Sequence, residues 1–502
     1  MKCSREKTFV RNHQPAKLTL LLVLAAVLEF AGCAVGPKYK TPIAPAPPAY
    51  KEIGNWKTAQ PSDQKLGGNW WEIFQDPQLN TLEQQINVSN QNLKAAVAQY
   101  QQSRAALRYV RADYYPTLTA GASATRQEYS GHRPPQTSIF DGLTFNDFVL
   151  PINLSYQANA WGRVSKNVES YREQAQASAA DLAVINLTLH ATLAVDYFAA
   201  RTLDAEEKLL TDTVAQYQQA FQLNEDRYQG GLASEVEVEQ AKTILETTRA
   251  QLVDVGVARS QFEHAVAVLI GKPPADFTLP PLPLTIPPPA IPVGIPSELL
   301  ERRPDIAAAE RRVASANAQV GLAKTAYYPS LNFLGVGGFE SGSITTLLQG
   351  PSALWSVGAS SVMTVFDVGR RRALNDEAKA SYDSTVASYR ETVLAAFQQV
   401  EDNLAALRIL EHEAGVQAVA VQAAQRSLDL SNTRYEGGVT SYLEVITAQN
   451  AALADEVTAV NILGRRMASA VLLIQALGGG WDRSGLPERP ECCGKLVSSN
   501  TN

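Results

Sequence analysis

The residues able to do chemistry are few and scattered. The five histidines are His13, His132, His190, His264 and His412, and the four cysteines are Cys3, Cys33, Cys492 and Cys493. No histidines or cysteines have the spacing of a metal site, so the histidines read as packing or surface residues of helices. A phosphate loop of the Gly-x-x-x-x-Gly-Lys-Ser/Thr form is absent. Gly335, Gly337 and Gly338 stand close together, but strand-like alternation runs through them, which favours packing or curvature over a nucleotide cradle. A Ser/His/Asp grouping assembles in space, so spacing does not address it. Nothing else in the pattern asks for one. The expectation is a chain that is no enzyme and holds no metal or cofactor. Cys492–Cys493 lie in a polar tail and receive no role.

Cys33 is placed differently. Lys7, Arg11 and Lys17 precede an apolar run over 18–28, then Ala31 and Gly32 lead to the thiol. Basic, apolar and small residues in that order spell an export signal. A cysteine directly after Ala-Gly is the bacterial lipoprotein pattern, in which Cys33 is lipidated. The alternative is ordinary signal cleavage beside an incidental cysteine. Glu29 interrupts the apolar run and Phe30 stands where Leu is usual. Ala34, rather than Asp, follows the thiol, which points to the outer membrane. Acyl chains would anchor the protein to lipid without spanning the bilayer. Residues 33–78 continue as a Pro-rich N-terminal segment that reads as an extended tether.

The whole chain has 502 residues and a net charge of −6, with 45% apolar and 19% charged residues. That composition suits a folded chain with a sizeable core. The acidic balance and lack of a long Lys/Arg run argue against a nucleic-acid partner. The run over 18–28 falls short of the ~18–20 residues a spanning helix needs, so no transmembrane helix is expected.

The body is one unit written twice. Arg227-Tyr228-Gln229-Gly230-Gly231 recurs as Arg434-Tyr435-Glu436-Gly437-Gly438, an offset of 207. Tyr114-Tyr115-Pro116 recurs as Tyr327-Tyr328-Pro329, an offset of 213. Gly162-Arg163 matches Gly369-Arg370 in the same order. The organisation expected is a signal peptide at 1–32, the lipidated segment at 33–78, repeat 1 at 79–271, a linker at 272–296, repeat 2 at 297–480 and a polar tail at 481–502. Ten prolines mark the linker.

Each repeat reads as helix, two strands, very long helix, helix. Residues 79–114 and 297–327 are helical in composition and stop at Tyr-Tyr-Pro, where proline disfavours helix in the preceding residue. Leu150, Ile152, Leu154 and Tyr156 alternate with polar neighbours. Leu118, Ala120, Ala122 and Ala124 do so more weakly. Leu331 to Phe339 and Trp355 to Val365 supply the second pair. Lengths of about 10–14 residues suit tilted membrane-crossing strands. Residues 162–228 and 369–435 contain no proline and would make helices about 100 Å long at ~1.5 Å per residue. Val393, Phe397, Val400, Leu404 and Leu407 mark a coiled-coil seam. The Gly-Gly pairs then stop each helix and turn the chain back.

Four amphipathic strands cannot close a barrel alone, and the smallest barrels use about eight. Several chains must therefore share one. Helices far longer than a bilayer is thick must project into water. The expected fold is mainly α with transmembrane β: a tube of strands continued by helices. A soluble α-helical scaffold carrying a small sheet is the competing reading.

At these residues the chain resembles the TolC/OprM-like outer-membrane factors, in their NodT-like lipoprotein branch. The segments that carry the resemblance are Cys33…Gly36-Pro37-Lys38-Tyr39, Trp70-Trp71-Glu72-Ile73-Phe74-Gln75-Asp76-Pro77, Leu299-Leu300-Glu301-Arg302-Arg303-Pro304-Asp305 and the twin Arg-Tyr-x-Gly-Gly turns. The resemblance implies a homotrimer with a twelve-stranded outer-membrane barrel and a periplasmic helical tunnel. It implies a passive exit duct for small molecules, docked to a periplasmic adaptor (membrane fusion protein) and driven by an inner-membrane pump, most often of the resistance-nodulation-division type. A type I protein-secretion duct is the alternative, and the lipidated Pro-rich start favours efflux. The resemblance matches Glu237, Glu444 and Tyr435 to a periplasmic gate. The hairpin tips at Gly230, Gly231, Gly437 and Gly438 are expected to meet the adaptor. Where some members carry an arginine beyond the second turn, Val439-Thr440 stand here. The two glutamates have a plainer reading as helix-start carboxylates complementing the helix dipole.

Overall fold

The computed structural model describes residues 35–44, 47–52, 69–130, 144–291, 301–481 and 486. The signal peptide, Cys33, Leu299, Leu300, the end of the linker and Cys492–Cys493 lie outside them. Helices α1 (Pro77–Ser89), α2 (Gln91–Arg111), α3 (Arg163–Gln229) and α4 (Glu235–Leu269) belong to repeat 1. Repeat 2 supplies α5 (Pro304–Thr325), α6 (Arg370–Glu436) and α7 (Tyr442–Ala476). The strands are β1 (Thr117–Ala120), β2 (Ser123–Glu128), β3 (Thr144–Gln157), β4 (Ser330–Ser341) and β5 (Ala353–Val362).

Both long helices, α3 and α6, have 67 residues and lie within one residue of the expected bounds. The predicted seam is buried throughout, with Phe397 its most exposed member at 8%. The expected helix over 79–114 is instead two helices, broken at Asn90. Asn90 Oδ1 accepts the Leu93 N–H at 2.9 Å, and its Nδ2 donates to the Leu269 carbonyl at 2.7 Å. Ser89 Oγ donates to the Ile270 carbonyl, and a Cβ on Gly271 would fall 2.5 Å from the Ser89 carbonyl oxygen. The end of α4 thus fastens the break. Repeat 2 has the same joint: Arg303 Nη1 donates to the Ala476 carbonyl at 2.9 Å, and a Cβ on Gly478 would lie 2.1 Å from the Arg302 carbonyl oxygen. Of the helix expected over 297–327, Glu301 and Arg302 are helical, the chain breaks at Arg303, and α5 starts at Pro304, for the same tertiary reason.

The sheet runs β1/β2–β3–β4–β5, all antiparallel. Thr117 faces Ser155 and Ser123 faces Val149, one continuous register, so β1 and β2 are a single strand interrupted at Gly121-Ala122. Pro151 explains the gap. Its carbonyl accepts the Gly121 N–H at 3.0 Å, but proline has no N–H to return. On its other side Pro151 faces Gly338, whose Cβ would sit 2.1 Å from the Leu150 carbonyl oxygen. The four expected strands are therefore present. β5 ends at Val362, so Met363 and Val365 follow the strand rather than extend it. Among the described residues, the outer strands β1/β2 and β5 each leave one edge unpaired.

Two compact units arise, and each draws on both repeats. The first comprises Ser103–Ala175, Arg311–Val386 and the N-terminal segment up to Thr41. It holds the sheet and a small core of Val110, Val164 and Val168. A buried Arg311–Glu173 ion pair at 2.8 Å and the Ser170–Ser315 hydroxyl contact at 2.9 Å also lie within it. The second unit includes the hairpin ends and the Pro-rich segment after α4. There Arg201 donates to Asp204 at 2.8 Å and to the Pro280 carbonyl at 2.6 Å, while Asp204 accepts the Leu282 N–H at 2.8 Å. Pro280 and Leu282 are thereby held against α3.

Two helices, α3 and α7, contain an 18-residue window of mean hydropathy 1.4, long and apolar enough to cross a membrane, although only 33% of each window is buried. In α3, Thr, Asn and His interleave with Ala, Leu and Val, so no unbroken apolar run marks it in the sequence.

Candidate functional site at the hairpin tips

The twin turns close in the same way. In the first, the Leu232 N–H reaches the Arg227 carbonyl at 2.7 Å, and Gly231 adopts φ +72°. In the second, the Val439 N–H reaches the Arg434 carbonyl at 2.9 Å, and Gly438 adopts φ +70°. These are the six-residue closures and left-handed glycines that satisfy a helix end. Space around both glycines is open, so the backbone angle rather than crowding demands them. Gly230, Gly231, Gly437 and Gly438 are all exposed.

The two glutamates are half-buried and differently engaged. Glu237 Oε2 accepts the Ser234 N–H at 2.9 Å, capping the start of α4. Glu444 accepts from Arg434 Nη1 at 2.9 Å and from the Thr440 hydroxyl. In this chain, then, the cation beside Glu444 comes from before the turn, where Val439-Thr440 offer none after it.

Tyr435 is buried between the hairpins. Its hydroxyl donates to Asn224 Oδ1 on α3, the Arg227 guanidinium lies 4.7 Å from its ring centre, and the Tyr442 ring packs at 5.1 Å. Burial pushes its pKa upward, and the nearby Glu237 carboxylate adds to that push. Ala241 and Val445 complete this core, with Phe221, Leu428 and Ile446 against it. Its repeat partner Tyr228 is 46% exposed. The twin arginines were visible in the sequence motif; Asn224 carried no signal, because its role exists only once two hairpins pack. Between α4 and α7 an open groove of about 640 Å³ is lined by Val236, Ile244, Leu443 and Ile446 together with Glu235 and Glu239.

A second cluster lies deeper. His190 Nδ1 is 2.6 Å from Glu83 Oε2, and the Trp71 ring stacks on the imidazole at 4.4 Å. Burial raises Glu83 to about 9 and lowers His190 to about 4. Burial thus favours the neutral form of both groups. Among the described residues no group of three or more His, Cys, Asp or Glu gathers as for a metal.

An antiparallel sheet and two helices of 67 residues are the elements of the tunnel-and-barrel class of outer-membrane channels to which the solved relatives belong. The outer membrane efflux protein family model matches residues 82–272 and 295–479, and the chain belongs to that family. It is 31% identical to the probable efflux pump outer membrane protein TtgC of Pseudomonas putida, over 92% of this chain and 96% of that one. It is 28% identical to the cation efflux system protein CusC of Escherichia coli, over 92% and 99%. The solved CmeC outer membrane channel of Campylobacter jejuni superposes with a TM-score of 0.84 at 25% identity, covering 90% of this chain and 96% of that one. The protein is an outer-membrane efflux channel of a Gram-negative bacterium, a conduit and no enzyme. That sets aside the soluble scaffold.

Proposed function

We propose that three copies of this chain form the exit duct of a tripartite small-molecule efflux system. The observation that carries the reading is the sheet, whose two outer edges are unpaired among the described residues. In hydrocarbon every backbone polar group needs a partner, so such a sheet must be closed by further copies. Three copies of a four-strand sheet give the twelve-stranded barrel expected from the family. The partly exposed apolar windows of α3 and α7 support the same reading, since neighbouring protomers would cover them.

The channel has no energy source of its own. An inner-membrane pump of the resistance-nodulation-division type drives export, and a periplasmic adaptor meets the tips around Gly230, Gly231, Gly437 and Gly438. The closed gate is built from Glu237, Glu444 and Tyr435: the tyrosine holds the two hairpins together, and repeated carboxylates around an axis attract cations and disfavour anions. Lipidation at Cys33 anchors each protomer to the outer membrane. Exported compounds are drugs and other toxic small molecules.

Purified protein should run as a trimer in detergent and pass current in planar bilayers. Deleting the gene should raise susceptibility to small toxic compounds and leave secreted proteins unchanged. A monomer that never conducts overturns the duct. Loss of protein secretion without altered susceptibility would replace efflux with a type I secretion role.

A further inference from the structure

The two repeats pair their own strands in one register. In repeat 1 Thr117 faces Ser155, and in repeat 2 Ser330 faces Val362. The repeat offsets are 213 from β1 to β4 and 207 from β3 to β5, and they carry the first pair onto the second residue for residue. The hairpin was copied without a slip. What surrounds one copy is therefore a guide to what must surround the other.

Between the repeats, β3 meets β4. Ser155 faces Leu334, Gln157 faces Asn332, and the Ala158 N–H donates to the Leu331 carbonyl at 2.9 Å. Just past β3, Trp161 stacks on Tyr328 at 5.1 Å, and its Nε1 donates to the Pro329 carbonyl at 2.7 Å. The counterparts of these residues lie on the two outer strands and meet no such neighbours among the described residues. Val362, Thr364, Val365 and Val368 stand for Ser155, Gln157, Ala158 and Trp161. Gly121, Thr119 and Leu118 stand for Leu334, Asn332 and Leu331, and Tyr115-Pro116 stand for Tyr328-Pro329. Val365, Phe366 and Val368 are exposed, and so are Tyr115 and Leu118. Val368 also holds φ +53°, rare for a β-branched residue, whereas Trp161 does not hold a positive φ. The second junction has the form of the first with one side removed.

We propose that two copies of this chain meet in the register that β3 and β4 use within it, with Val362 facing the partner's Gly121 and Thr364 facing the partner's Thr119. β5 then grows through residues 363–366, which accounts for the alternation that runs on past Val362 in the sequence. Val368 takes the place of Trp161, against the partner's Tyr115 and the partner's Pro116. Valine has neither a ring to stack nor an N–H to donate, so the seam between copies lacks the fastening that the seam inside the chain possesses. The two edges differ, so the contact is head-to-tail and closes as a ring. The inference rests on the proposed trimer and adds to it the residues that meet and the unequal strength of the two seams.

The test uses the full chain with Cys492→Ser and Cys493→Ser, purified in detergent. Thr119→Cys with Thr364→Cys is expected to give disulfide-linked oligomers on non-reducing gels, with each single-cysteine chain as the blank. Within one chain the two positions flank opposite outer strands with two strands between, beyond the reach of a disulfide. Thr364→Cys with Thr117→Cys or Gly121→Cys, two residues out of register, should link about tenfold less. Val368→Trp should raise by several degrees the temperature at which the trimer separates into monomers, and Tyr115→Ala in the same chain should cancel that gain. Should Val368→Trp fail to assemble, Val368→Cys with Tyr115→Cys, joined by a short bismaleimide, reads the same contact.

A parent that is monomeric in size-exclusion chromatography overturns the trimer and the seam together. A trimer that links through Thr117→Cys or Gly121→Cys instead, or through none of the three pairs, overturns the register and spares the trimer. No gain from Val368→Trp, a gain that survives Tyr115→Ala, or no cross-link in the substitute pair overturns the seat of Val368.

Discussion

Tyr435 of repeat 2 donates its hydroxyl to Asn224 of repeat 1, while Tyr228, its equivalent in the first copy, stands exposed. The duplicated motif is thus used once as a clasp and once as a surface residue. A buried hydrogen bond contributes about 0.5–1.5 kcal/mol, and leaving the Asn224 oxygen unpaired adds a desolvation cost of about 1–3 kcal/mol. Tyr435→Phe should therefore loosen the closed tip and raise open probability in planar bilayers. Tyr228→Phe should behave as wild type. Identical traces from all three would reduce Tyr435 to packing alone.

The glutamates separate charge from capping. Glutamine can still accept the Ser234 N–H, so Glu237→Gln should remove charge while keeping the helix start. Combined with Glu444→Gln, it should lower cation preference measured by reversal potential. Glu444→Gln alone also breaks an exposed pair with Arg434, worth only about 0.2–1 kcal/mol, so unfolding should barely move. An unchanged reversal potential in the double variant would take both residues out of the gate.

Glu83 and His190 set opposite pH dependences. With Glu83 raised from 4.5 to about 9, the unfolded chain releases this proton first, so stability falls as pH climbs through that window. With His190 lowered from 6.5 to about 4, stability falls as pH drops from 6.5 towards 4. Glu83→Gln keeps an N–H for Nδ1 and removes the first dependence. It should unfold at a higher temperature than wild type at pH 8–9 and at a similar one near pH 5, followed by tryptophan fluorescence. A variant destabilised equally at every pH would show that the pair titrates otherwise.

Gly338 has no room for a side chain, whereas a Cβ on Gly337 would point into open space. Gly338→Val should prevent β3 and β4 from pairing and abolish the proposed trimer, read by size-exclusion chromatography in detergent. Gly337→Ala should assemble normally. Assembly of both would mean that the sheet shifts freely at Pro151.

The long helices, their buried seam and the glycine-closed turns were legible because they depend on local chemistry. Proline-free runs, heptad spacing and left-handed glycine act within a few residues of one another. The strands were legible for the same reason, through period-two alternation. The break at Asn90 was not, because its side chain answers to Leu269, far along the chain. Nor was the interruption at Gly121, which depends on a proline in the neighbouring strand. At the tips the sequence determined two equivalent turns, and only packing chose which tyrosine is buried. A repeat encodes the same backbone twice, but two copies packed against each other meet different neighbours, and burial and hydrogen bonding follow the neighbours.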